Sequence, residues 1–224
     1  GRYDGVQLWA IGQGVAVEAL LNTFNDPVQG RDGLFPELVL FDCHACHHPM
    51  SDQRWAPRTA FGAGAGPGVA RLNDSNMLML RAIARQMDPA LGAKVSQQVG
   101  RLQRASAGQG NALAEAAALR RLSRDVGTRL GGHAFSDAEL RGIALALVDD
   151  GLAGHYRDYA GAEQAAMAIG SVVNFMAKRG QLPAPARVNA GLDRLYTSLA
   201  DDEAYRPAEF QQRLREFRGL IAAQ

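Results

Sequence analysis

The chain has 224 residues, two cysteines and a formal net charge of +1. That length can bury an apolar core without covalent staples, and two cysteines exclude a disulfide-framed secreted scaffold. Basic and acidic residues balance along most of the sequence, with no polybasic patch, so no nucleic-acid partner is expected.

Residues 6–24 place Val6, Trp9, Ile11, Val15, Val17, Leu20, Leu21 and Phe24 mostly at helical spacing, which predicts a helix in spite of Gly12 and Gly14. A chain that opens inside an amphipathic helix, with no Met and no charged-then-apolar leader, reads as trimmed. Either a signal peptide or an upstream region is expected to have preceded it. Residues 25–36 are rich in Asn, Asp, Gly and Pro and form a loop. Leu38, Val39, Leu40 and Phe41 then make a short apolar run, read as the start of a short helix leading into Cys43. Residues 49–72 hold Pro49, Pro57, Pro67 and a glycine run from 62 to 68. Trp55 and Phe61 in this stretch argue for an ordered, packed loop, because burying large aromatics offsets the entropy lost on ordering it.

After Asn73 the pattern becomes strongly helical, with Asp74 or Ser75 as N-cap and Leu78, Ile83, Met87 and Leu91 in an apolar stripe that Pro89 kinks or restarts. Helices are expected over about 91–105 and 111–130. Ser136 and Glu139 have the spacing of a capping box that opens the next helix through Leu140, Ile143, Leu147 and Val148. Another covers about 160–178, stopped by Gly180, and two more cover about 188–200 and 207–223, with Pro183 and Pro185 interrupting before them. No internal repeat or strand pairing is visible, so the predicted fold is all-α. It comprises an N-terminal helix plus a motif segment and Gly/Pro loop (1–72), and a helical bundle (73–224), packed as one unit. No stretch approaches the ~18 uninterrupted apolar residues of a membrane span.

The chemistry is concentrated in Asp42-Cys43-His44-Ala45-Cys46-His47-His48-Pro49-Met50, which holds both cysteines and three of the five histidines. Two thiols three positions apart can add to the vinyl groups of one porphyrin, and the next residue then presents an imidazole to the iron. A Cys/His zinc site using Cys43, Cys46 and two of the neighbouring histidines, with His133 or His155 as distant donors, is the competing metal reading. A thioredoxin-type dithiol is disfavoured by the lack of strand alternation. The glycines of 62–68 lack a following Lys-Ser/Thr, so no phosphate-binding loop is expected.

Cys43-His44-Ala45-Cys46-His47 matches in full the CxxCH signature of c-type cytochromes, and the chain resembles that family over these five residues. The stretch from Gly66 and Pro67 to Leu72 is similar to the Gly-Pro loop that follows the motif in many small cytochromes. The long helical tail resembles the C-terminal part of periplasmic multihaem cytochromes, which carry several such motifs where this chain has one. The resemblance implies one covalent haem c on Cys43 and Cys46, His47 as proximal iron ligand, and Pro67 accepting the second imidazole proton. It further implies electron transfer rather than catalysis, a periplasmic location, redox protein partners and an upstream haem domain of the same gene product. Arg54 and Arg58 are candidates to neutralise the haem propionates. On the distal side His155 is the candidate ligand, with His133, Met77, Met79 and Met87 as alternatives, each also readable as an ordinary packing or surface residue. An open distal face would instead make a haem enzyme or small-ligand sensor.

Overall fold

A computed structural model describes residues 5–30, 37–42, 61, 69–182 and 184–222. Among these, eight α-helices and a 3-10 turn account for the regular structure, and there is no strand. The all-α expectation is met. None of these helices is long and apolar enough to cross a membrane.

The helices are α1 (Gly5–Asn25), α2 (Ser75–Met87), α3 (Pro89–Ser106), α4 (Ala112–Gly131), α5 (Asp137–Leu152), α6 (Tyr159–Lys178), α7 (Pro185–Thr197) and α8 (Pro207–Ala222). The 3-10 turn is Leu38–Leu40. Helix α2 is the axis of the molecule, because every residue from Met77 to Ala84 is buried. A helix that is covered on all sides has no solvent face to keep polar. It contacts α1 and α3 on one flank and α5 and α6 on the other, while α4 closes the first group and α7 and α8 the second. One continuous apolar core joins residues of α1 to those of all the later helices.

Local chemistry explains most helix ends. Asp88 caps α3 by accepting from the Ala90 N–H at 2.8 Å, and Pro89 occupies the first helical position, where its missing N–H costs nothing. Pro89 therefore restarts the chain rather than kinking it. Pro185 does the same for α7, which begins three residues earlier than the apolar spacing predicts. Ser136 and Glu139 form the expected capping box at the start of α5. Gly180 ends α6 at φ +70°, a backbone region that glycine enters without steric penalty. At α2 an expected N-cap residue is in place. Asp74 holds the N-cap position but its side chain makes no capping bond. Its carboxylate instead pairs with Arg71 and accepts from Gln103 Nε2 at 3.3 Å, and Asn73 Oδ1 takes the Ser75 N–H at 3.1 Å.

Candidate functional site

Six of the residues singled out for cofactor binding, Cys43, Cys46, His47, Arg54, Arg58 and Pro67, lie outside the described residues. The scaffold on either side of them is defined by backbone pairing. Before the motif, the 3-10 turn ends in Phe41, which forms an isolated antiparallel bridge with Leu72. The Asp42 N–H donates to the Arg71 carbonyl at 2.8 Å, and the Asn73 N–H donates to the Leu40 carbonyl at 2.9 Å. Gln103, on α3, ties this bridge to the bundle by donating to the Leu72 carbonyl at 3.1 Å. Asp42 and Arg71, on either side of the motif-bearing stretch, are thus held at adjacent points.

Phe61 is a third attachment between those two. Its side chain is buried in the common core, as the packed-loop reading expects. Its carbonyl lies so close to Gly100 on α3 that a Cβ there would collide with it, which gives Gly100 a steric reason to lack a side chain. The Phe61 ring lies 5.0 Å from the guanidinium carbon of Arg81, a cation–π distance.

Arg81 opens onto a buried charged cluster that residue spacing does not assemble. It sits in the middle of α2 among apolar residues, with its side chain 6% exposed. Its Nη2 donates to Asp150 Oδ2 at 2.7 Å, and Asp150, at the C-terminal end of α5, is 4% exposed. Arg85, one turn along α2, reaches the other oxygen of Asp150 at 3.3 Å. A buried ion pair recovers its desolvation cost only when both charges are well bonded: here both oxygens of Asp150 are engaged, while the Nε of Arg81 is buried without a hydrogen-bond partner among the described residues. Burial by itself raises the Asp150 carboxyl, but the guanidinium groups of Arg81 and Arg85 beside it outweigh that and hold the group below the usual carboxylate range. Next to it, burial pushes the Tyr156 phenol well above its ordinary value, and that hydroxyl donates to the Leu147 carbonyl at 2.9 Å.

His155 completes the cluster. Its Nδ1 is 2.7 Å from Arg81 Nη2 and 3.6 Å from Asp150 Oδ1, so the hydrogen bond runs from the arginine to the ring nitrogen. An acceptor Nδ1 puts the imidazole proton on Nε2. A His that binds iron through Nε2 needs the opposite tautomer. To serve as a distal ligand, His155 would have to exchange its Arg81 contact for a proton-donating bond, with Asp150 the nearest acceptor. His133 is engaged elsewhere: its Nε2 is 2.9 Å from Glu139 Oε1 and its ring meets Phe135 edge-on. Met77 and Met79 are core residues of α2.

Arg85, Asp150 and His155 line one wall of a cleft of about 640 Å³ between α2 and α5, with Gln86, Leu145 and Ala146 on its floor and sides. Among the described residues, no group of three or more His, Cys, Asp or Glu is placed to hold a metal ion. One sign of this cluster is legible in the sequence: a single Arg interrupting the apolar run from Met77 to Ala84. Its partner, sixty-nine positions away, carries no local signal.

These observations define an all-α protein with a motif-bearing segment fastened to a helical bundle and a charged cluster beneath its middle anchor. No protein-family model, curated protein or solved structure matches the chain.

Proposed function

We propose that the chain is a c-type cytochrome that carries one covalent haem and transfers electrons in the periplasm to and from other redox proteins. The observation that carries this reading is the sequence Cys43-His44-Ala45-Cys46-His47. The donor set suits the group: two thiols at the spacing of two vinyl substituents, followed at once by an imidazole. Cys43 and Cys46 would hold the porphyrin as thioethers, each thiol adding across a vinyl double bond, and His47 would bind the iron. Bound in this way, the haem supplies a one-electron couple. Arg54 and Arg58 would balance the propionates, and Pro67 would fix the His47 tautomer through its carbonyl.

The scaffold supports the reading in a second way. A cofactor carrier needs its attachment segment joined to a fixed scaffold, and the flanking residues Phe41 and Leu72 are bridged while Phe61, between them in sequence, is buried in the core. The test is expression with export and haem-attachment machinery, followed by pyridine haemochrome assay and intact mass. The expected product is red, heavier by one haem, and inert to thiol alkylation, and the C43A/C46A double variant is colourless. Mature material with two alkylatable thiols and no haem mass overturns the proposal. A low-spin six-coordinate spectrum is expected for electron transfer, whereas a high-spin haem that takes up carbon monoxide would assign ligand binding instead.

A further inference from the structure

We propose that the cleft between α2 and α5 is a binding site for a small carboxylic acid, held by Arg85, His155 and Gln86, with its apolar part against Leu145 and Ala146. Nothing in this site depends on the haem.

The chemistry of the ligand is set by which polar groups at the cleft already have partners. Most acceptors are taken. Asp150 accepts from Arg81 at one oxygen and from Arg85 at the other. Asp149 is paired with Arg218 at 2.6 Å. The last turn of α5 would normally present carbonyls, but those of Asp149, Asp150 and Gly151 accept from the N–H groups of Ala153, His155 and Gly154 at 2.9, 3.0 and 2.9 Å. Gly151 also accepts from Gln211 Nε2 at 3.2 Å.

The donors remain. Arg85 commits one nitrogen to a long 3.3 Å contact and its side chain is 41% exposed, so most of its five N–H donors stay available. His155 has its proton on Nε2 because Nδ1 accepts from Arg81. The Gln86 amide belongs to the same cleft, and its oxygen packs against position 142 on α5, where glycine leaves room for it because a Cβ would strike that oxygen, while the amide nitrogen adds N–H donors.

The guanidinium and imidazole donors left at the cleft outnumber its remaining acceptors, Asp149 Oδ2 and Gln86 Oε1, so it favours a ligand rich in acceptors, and a planar guanidinium with an imidazole N–H suits a carboxylate. Arg81 and Asp150 offset one another behind the cleft, which leaves Arg85 as its positive group, and the apolar Leu145 and Ala146 in the lining favour a ligand with a short hydrocarbon part over a bare inorganic anion.

The test is calorimetric titration of the purified full chain with butyrate and, separately, with inorganic phosphate at matched ionic strength. The expected result is saturable 1:1 binding of butyrate in preference to phosphate, weakened about tenfold or more in R85Q and in H155F. The R213Q variant, on the outer face of α8, should bind as the parent does. Absence of saturable butyrate binding by the parent protein overturns the proposal, as does unchanged affinity in R85Q or phosphate binding at least as well as butyrate. Perturbation of the Gln86 side-chain amide resonance by butyrate gives a second readout in the unmodified protein, and its absence at saturation likewise counts against the site.

Discussion

Asp150 is bonded to two arginines of α2, and its carboxylate offsets the charge of a guanidinium that α2 buries among methionines and leucines. D150A is therefore expected to cost about 3–5 kcal/mol of stability in urea unfolding, because truncating one partner leaves the other charge in a low-dielectric site. The same residue sets an acid limb. Its folded carboxyl is held below the ordinary value, so its contribution is complete above the unfolded pKa of about 3.9 and is lost as pH falls through the lower folded value. In D150N that component disappears, and the urea midpoint should fall less steeply between about pH 5 and pH 2 than it does in the parent. Phe61 belongs at this scale too. F61A removes a buried ring from the core and is expected to cost about 3 kcal/mol, read by the same unfolding measurement.

Helix α5 begins with a reciprocal pair of bonds, Ser136 Oγ taking the Glu139 N–H and the Glu139 carboxylate taking the Ser136 N–H. S136A should lower stability by about 1 kcal/mol, visible as a modest drop in Tm. This element is legible in the sequence because its partners are three positions apart, and the same holds for Gly180 at the end of α6. Proline is harder to read. At 89 and 185 it signals interruption, yet in both places it starts a helix, and which role prevails depends on the residue before it and on how the next segment packs. The cap of α2 departs from its local pattern for another reason: Gln103, from a different helix, and Arg71 engage the Asp74 carboxylate that the pattern assigns to capping. The candidate site divides along the same line. The cysteines and histidines of the motif are contiguous and stand out in the sequence. The Arg81, Asp150 and His155 cluster is assembled only when α2 and α5 pack together, so composition and spacing give His155 without its neighbours.

Across the whole molecule, the two groups of helices meet on α2, and the chain crosses between them with one shared core. Phe61 belongs to that core, and the helices around α2 also make contacts with one another. A variant in which 43–68 is replaced by a short Asn-Gly turn is expected to keep the helical circular dichroism of the parent, with a stability deficit no smaller than that of F61A. A collapse of helicity would mean that the bundle depends on the deleted stretch for more than one ring.

The two hydrogen bonds of the Phe41–Leu72 bridge keep these two residues, which flank that stretch, about 5 Å apart, the spacing of neighbouring antiparallel backbones. A gap that narrow accepts inserts of many lengths at nearly constant entropic cost, since closing a longer loop adds only a logarithmic penalty. The junction therefore behaves as a socket. Cassettes carrying other attachment sequences could be exchanged there while the eight helices stay in register.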